Sequence, residues 1–137
     1  MSVIVTDSGF AADTWTDGFV ALGAANDASG LDVPSSADPA EIPLCAGLKM
    51  VRIDFPSSAD GRGFTIARAL RLRGFTGQLR ARGHVLADQY AMARRSGFDE
   101  VEIDDALAAR QPEDQWQFRA NWQAHDYQDR LRGRKTG

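Results

Sequence analysis

Leu48-Lys49-Met50-Val51-Arg52-Ile53-Asp54-Phe55 is the stretch whose reading decides the fold. It contains neither Gly nor Pro, and its second half alternates apolar and charged residues at a period of two, the period of a β-strand. Val51, Ile53 and Phe55 share one face of that strand, and Arg52 and Asp54 share the other. The loop Pro56-Ser57-Ser58-Ala59-Asp60-Gly61-Arg62-Gly63 comes next, and then the period changes. Thr65 is placed to cap a helix in which Ile66, Ala67 and Leu70 recur at helical spacing, Arg68, Arg71 and Arg73 point elsewhere, and Gly74 is the stop.

The same unit recurs on both sides. Leu31-Asp32-Val33 reads as a short strand closed by Pro34; Ser36 or Asp38 then caps a helix that starts at Pro39, carries Ile42, Leu44 and Cys45, and stops at Gly47. Gln78 to Arg82 reads as a third strand, followed by a helix from about Val85 to Ser96 whose stripe is Leu86, Tyr90 and Ala93, with Val85 and Met92 beside it. Glu100 to Asp104 is a fourth strand, and Asp104 or Asp105 caps a last short helix broken at Pro112.

Four strand–helix units in succession predict an α/β fold with a parallel sheet and right-handed crossovers. If each strand lies beside the previous one, all the helices cover one face, which is half of a β/α barrel; a doubly wound order is the alternative. Residues 1–30 read as an irregular N-terminal arm, hairpin or cap with strand-like runs at Val3-Ile4-Val5 and Phe19-Val20-Ala21-Leu22. Residues 31–111 are the repeats, and 112–137 are a tail carrying Trp116, Phe118, Trp122 and Tyr127 and ending in a basic run. With 137 residues the chain fits one domain.

The strands depart from what a sheet covered on both faces requires, which is continuous apolar runs. In the third strand Leu79 and Ala81 oppose Gln78, Arg80 and Arg82; in the fourth, Val101 and Ile103 oppose Glu100, Glu102 and Asp104. Helices should cover the apolar face. On the other face the arginines of the third strand should lie between Asp54 and Glu102, with lateral pairs each contributing about 0.2–1 kcal/mol. Such a face is either wet, or covered by a partner or by the N-terminal arm. A solvated face laced with ion pairs explains it without function. As a functional surface, Arg52, Asp54, Arg82, Glu100 and Glu102 would form a docking patch.

One loop suits an anion. Asp60-Gly61-Arg62-Gly63 follows the C-terminal end of a strand and opens a helix, the edge at which parallel α/β folds bind ligands. Its glycines let the backbone approach a ligand, the helix N-terminus offers N–H groups, and Arg62 adds a fork of donors suited to phosphate, sulfate or sulfite. A tight turn in which Asp60 holds the backbone explains the same residues without a ligand. Arg80, and His84 at the start of the next helix, would complete an anion site; a surface or capping histidine is the plainer reading of His84. His125 has no partner in the sequence.

Composition narrows the function classes. Net charge is −3 and apolar content is 43%, so no strong field draws the chain to nucleic acid or to an anionic membrane. No apolar run approaches the roughly 18 residues of a membrane span, and the N-terminus lacks the pattern of a secretory signal. The single cysteine, Cys45, excludes an internal disulfide and suits a reducing, cytoplasmic setting; it reads as a small buried core residue. No His/Cys/carboxylate cluster has zinc spacing, and no motif for flavin, nicotinamide, haem or an iron–sulfur cluster is present, so neither metal nor cofactor is expected. No set of residues specifies a reaction, and the exposed edges of an open half-barrel invite pairing of two copies.

Asp60-Gly61-Arg62-Gly63-Phe64, Gly77-Gln78-Leu79-Arg80-Ala81, Gly83-His84-Val85-Leu86-Ala87-Asp88-Gln89 and Gly97-Phe98-Asp99 resemble a bacterial family of unknown function, typically encoded beside assimilatory sulfite reductase. Its members are often labelled oxidoreductases of sulfite reduction. The resemblance covers about Leu31 to Ile103. It implies a role in sulfur assimilation and cysteine biosynthesis, with sulfite reductase or another enzyme of that process as partner, and it supplies no mechanism. Three positions depart from the family pattern: Ser57 stands where Lys is expected, His84 where Asp is expected, and Ser96 where Cys often precedes Gly-Phe-Asp. The first removes a cation from the loop and the last removes a thiol. The leading expectation is therefore a non-catalytic accessory protein docking through the charged strand face. The alternative is a small oxyanion-binding domain or enzyme built on Asp60, Arg62, Arg80 and His84.

Overall fold

The structure, a computed structural model, describes residues 2–23 and 29–120. Among the described residues seven strands form one sheet: β1 (Ser2–Thr6), β2 (Gly9–Ala11), β3 (Val20–Ala21), β4 (Gly30–Val33), β5 (Met50–Phe55), β6 (Gln78–Gly83) and β7 (Glu100–Asp104). Their spatial order is β2-β1-β7-β6-β5-β4-β3. The strands β3 to β7 are mutually parallel, and β1 and β2 join as an antiparallel hairpin on the free side of β7. The helices among the described residues are α1 (Arg62–Leu72), α2 (Tyr90–Ser96), α3 (Asp105–Arg110) and α4 (Glu113–Phe118).

The alternation in the strands sets the layers. Register pairs Val51 with Leu79, Ile53 with Ala81, and Ala81 with Val101, so one face of the sheet is apolar throughout. These residues are buried together with Ile66, Ala67 and Leu70 of α1 and Tyr90 and Ala93 of α2 in a single core. Fully burying a side chain of this size contributes about 1.5–3 kcal/mol, so this layer dominates stability. The same register sets Arg52 opposite Arg80, and Arg82 between Asp54 and Glu102, on the other face.

Local structure differs from the sequence reading in places that trace to proline and glycine. The segment from Pro39 forms only a 3-10 turn, Pro39–Glu41, with the Asp38 carboxylate accepting from the Ala40 N–H at 3.0 Å. Pro43 is the reason it goes no further. The residue before a proline avoids the α region, and Ile42 sits at φ −71°, ψ 123°. Ile42 still reaches the core, whereas Cys45, expected there, is exposed. Helix α1 begins three residues before Thr65, with Gly61 at its N-cap. In the third unit a 3-10 turn, Ala87–Gln89, precedes α2; Leu86 is half-buried and Met92 is 53% exposed.

The first thirty residues take a definite place where they are described. Val3 and Val5 pair with Ile103 and Val101 on the helix side, and Ile4 pairs with Glu102 on the charged side. Helix α4 fastens this hairpin to the body: Glu113 accepts from the Phe10 N–H at 2.7 Å. Trp116 is 1% exposed, donates its indole N–H to the Gln111 carbonyl at 2.9 Å and meets the Tyr90 ring edge-on. It therefore packs on its own chain, while Phe118 is 70% exposed. Trp122, His125, Tyr127 and the terminal basic run lie outside the described residues.

Candidate functional site

The charged face is a closed ion-pair network beneath the chain's own N-terminal segment. Arg52 donates from Nε and Nη2 to Asp32 at 2.6 and 2.8 Å and from Nη1 to Glu102 at 3.1 Å. Arg80 donates to Glu100 at 2.6 Å, to Glu102 at 2.9 Å, and through both terminal nitrogens to Asp13 at 3.0 Å. Phe19 lies over the Arg52 guanidinium, 3.8 Å from ring centroid to Cζ, and Trp15 packs against Phe19. The segment from Asp13 to Phe19 thus roofs the Arg52 and Arg80 part of the face, and Ile4 and Met50 lie buried on the same side.

Electrostatics follow from this geometry. Desolvation pulls the Arg80 guanidinium toward a lower pKa, but the bonds to Asp13, Glu100 and Glu102 outweigh it and the net shift is upward. Arg52 behaves in the same way with Asp32 and Glu102. The hydrogen bond from Arg80 holds the Asp13 carboxyl below its ordinary value. Buried charge survives only with such pairing. Of the sequence candidates on this face, Arg80, Arg52, Glu100 and Glu102 spend their polar atoms on one another and on Asp13 and Asp32.

The Asp60-Gly61-Arg62-Gly63 loop is likewise self-contained. Asp60 accepts from the Arg62 backbone N–H at 3.1 Å and from its guanidinium at 2.9 and 2.7 Å, and Arg62 also donates to the Ser35 hydroxyl at 3.0 Å. The Arg62 hydrogen bond drives the Asp60 carboxyl far below the usual range. Gly63 answers to packing: a Cβ there would stand 2.5 Å from the Phe55 ring. Helix α1 can cross β5 this closely only because that position has no side chain.

A different group lies open. At the C-terminal edge of β5, β6 and β7 a cleft of about 280 Å³ is lined by Asp54, Arg82, His84, Glu102, Asp104 and Arg110, among others. Gly83 shapes it. Its φ is 118°, a left-handed value, and a Cβ would stand 2.5 Å from the Phe55 carbonyl, so the chain turns there and His84 donates its backbone N–H to that carbonyl at 2.9 Å. Arg82 is half-exposed and reaches Glu102 only at 3.4 Å through Nε. Among the described residues, the side chains of Asp54, His84 and Arg110 have no hydrogen-bond or ion-pair partner. Asp104 is committed as the N-cap of α3, accepting from the Leu107 N–H at 2.8 Å.

The structure therefore brings Asp54, Arg82 and His84 together and keeps them apart in role from the loop at Asp60 and from buried Arg80. Arg110 is the member that the sequence reading missed. Its only signal was its position in the last turn of the short helix after β7, on the same edge of the sheet. The arrangement can offer an anion the forked donors of Arg82, the Arg110 guanidinium and the imidazole of His84, with Asp54 accepting from any proton the ligand carries.

Fold and cleft define an α/β protein with a mixed seven-stranded sheet whose polar site sits at the C-terminal edge of its parallel strands. Residues 30–136 match the family of bacterial proteins of unknown function DUF934, and the chain belongs to it. The match begins at the first residue of β4, so the hairpin, the roof segment and β3 precede it. No curated protein and no solved structure matches the chain. Among the described residues no helix is long and apolar enough to cross a membrane.

Proposed function

We propose that this chain is a cytoplasmic accessory protein of assimilatory sulfite reduction that holds a small oxyanion in the cleft of Arg82, His84 and Arg110. The pathway comes from the resemblance of its sequence blocks to a family encoded beside sulfite reductase. The cleft comes from the geometry. One observation carries it: the other strand-face charges are bound within the chain, whereas Asp54, His84 and Arg110 have no partner among the described residues and Arg82 is only loosely held. Sulfite and related anions need two or three converging donors, and a carboxylate acceptor favours the form that keeps a proton.

Docking through the charged strand face requires the segment from Asp13 to Phe19 to leave first, so contact with a partner enzyme is placed at the cleft rim, where Asp54 and Arg82 remain accessible. An enzyme built on Asp60 and Arg62 is the weaker reading, because an anion there must displace the Asp60 carboxylate.

Calorimetric titration of the full chain with sulfite, sulfate and phosphate tests the cleft. Arg82→Gln should weaken binding at least tenfold and Arg62→Ala should leave it unchanged. The reverse pattern would move the site to the loop. Failure to co-purify with sulfite reductase at micromolar concentration would remove the accessory role while leaving the anion site standing.

A further inference from the structure

A second cleft, about 390 Å³, adjoins the first on the face away from the helices. The two share Asp54 and Arg82. Their walls differ in kind. The first is lined by Arg82, His84 and Arg110 together with the carboxylates of Asp54, Glu102 and Asp104, of which Glu102 is ion-paired and Asp104 caps α3, while the second is walled mainly by Ala21, Leu22, Val33 and Pro34 at the ends of β3 and β4. The shelf is part of the fold: the Leu22 N–H donates to the Asp32 carbonyl at 3.1 Å. Its charged members Asp32 and Arg52 are bound to each other, so the shelf offers apolar surface and few spare polar groups.

Size bears on what fits. A sulfite ion takes the space of roughly two waters of about 30 Å³ each, and small-molecule sites typically run to about 300–1,000 Å³ with a few convergent polar groups and mostly apolar walls. The first cleft, at about 280 Å³, leaves room beside an inorganic ion for a further group. Cations at one end, an apolar shelf at the other and a carboxylate at the junction suit a ligand with an oxyanion head and an apolar body.

Resting on the cleft reading above, we propose that the two clefts form one bipartite site for small organic oxyanions. The head, a sulfonate or a sulfate or phosphate ester, is held by Arg82, His84 and Arg110, and the body lies along Leu22 and Pro34. No chemistry is implied; the site binds and orients.

The test is a series of linear alkyl sulfonates, from methanesulfonate to hexanesulfonate, titrated calorimetrically into the full chain beside inorganic sulfite. Burial of each methylene on the shelf should tighten binding about fourfold until the shelf is filled. Ala21→Asn, a neutral polar change at an exposed position, should flatten that trend, and a circular dichroism spectrum matching wild type checks that the variant folds. Equal affinities along the series, with sulfite binding intact, would overturn the bipartite site alone. Failure of every sulfonate and of sulfite to bind would overturn both this inference and the oxyanion reading on which it rests.

Discussion

The Arg80 guanidinium and the Glu102 carboxylate meet at 2.9 Å across neighbouring parallel strands, 2% and 6% exposed respectively. An ion pair this far from water is held by its surroundings as much as by its own attraction. Glu100 and Asp13 complete the shell of Arg80, and Arg52 and Arg82 complete that of Glu102. Removing Arg80 leaves Glu102 charged and buried and leaves Glu100 and Asp13 without their shared partner.

Arg80→Ala should therefore destabilise the fold by about 3–5 kcal/mol, the range for a broken buried pair. Arg80→Met restores apolar packing but still leaves Asp13, Glu100 and Glu102 without their shared partner, so it should recover only a small part of that loss. Urea denaturation measures both. A loss below 1 kcal/mol for Arg80→Ala would mean that water reaches this face.

Much of this layer was legible in the sequence, and the reason is periodicity. A run such as Val51-Arg52-Ile53-Asp54-Phe55 fixes which side chains share a face, and parallel register then carries Asp54 to Arg82 and Arg82 to Glu102. The N-terminal arm was one of the covers the sequence left open, but which residues of it lie on that face was not legible. Asp13 and Phe19 lie in a stretch without period, and their partners, Arg80 and Arg52, are distant in sequence. The helix expected from Pro39 failed on a local rule, the proline at position 43, which outweighs apolar content. The cleft was legible only in part. His84 and Arg82 sit at a strand end, where ligands are expected, but Arg110 enters through the packing of α3 against β7.

Gly63 offers a sharp steric test. Gly63→Ala places a methyl against the Phe55 ring and should cost about 1–3 kcal/mol, as overpacking does. Gly47→Ala, where an added Cβ meets nothing within 4 Å, should be nearly neutral. Pairing Gly63→Ala with Phe55→Leu should reduce the penalty. Thermal melts of the four proteins decide it, and equal melting temperatures for Gly63→Ala and wild type would contradict the close crossing of α1 over β5.

Two groups set opposite limits on stability with pH. Asp13 is held low by Arg80, so its contribution stands above the ordinary carboxylate value of about 3.9 and is lost as pH falls through its depressed folded value. Tyr90 is held high, first by burial and then by its bond to Asp7. Its contribution stands below the ordinary tyrosine value of about 10 and is lost as pH rises past it, because only the unfolded chain ionises there. Asp13→Asn should soften the acid limb of the stability profile and Tyr90→Phe the alkaline limb. Unchanged limbs in both variants would break the assignment.

The most direct test of the cleft is a map of backbone amide shifts on titrating the labelled chain with sulfite. The account predicts that the residues that move are Asp54, Phe55, Arg82 to His84 and Ile103 to Arg110, while Gly61 to Gly63 stay still. Shifts confined to Asp60 through Thr65, or no shifts at millimolar sulfite, would contradict it.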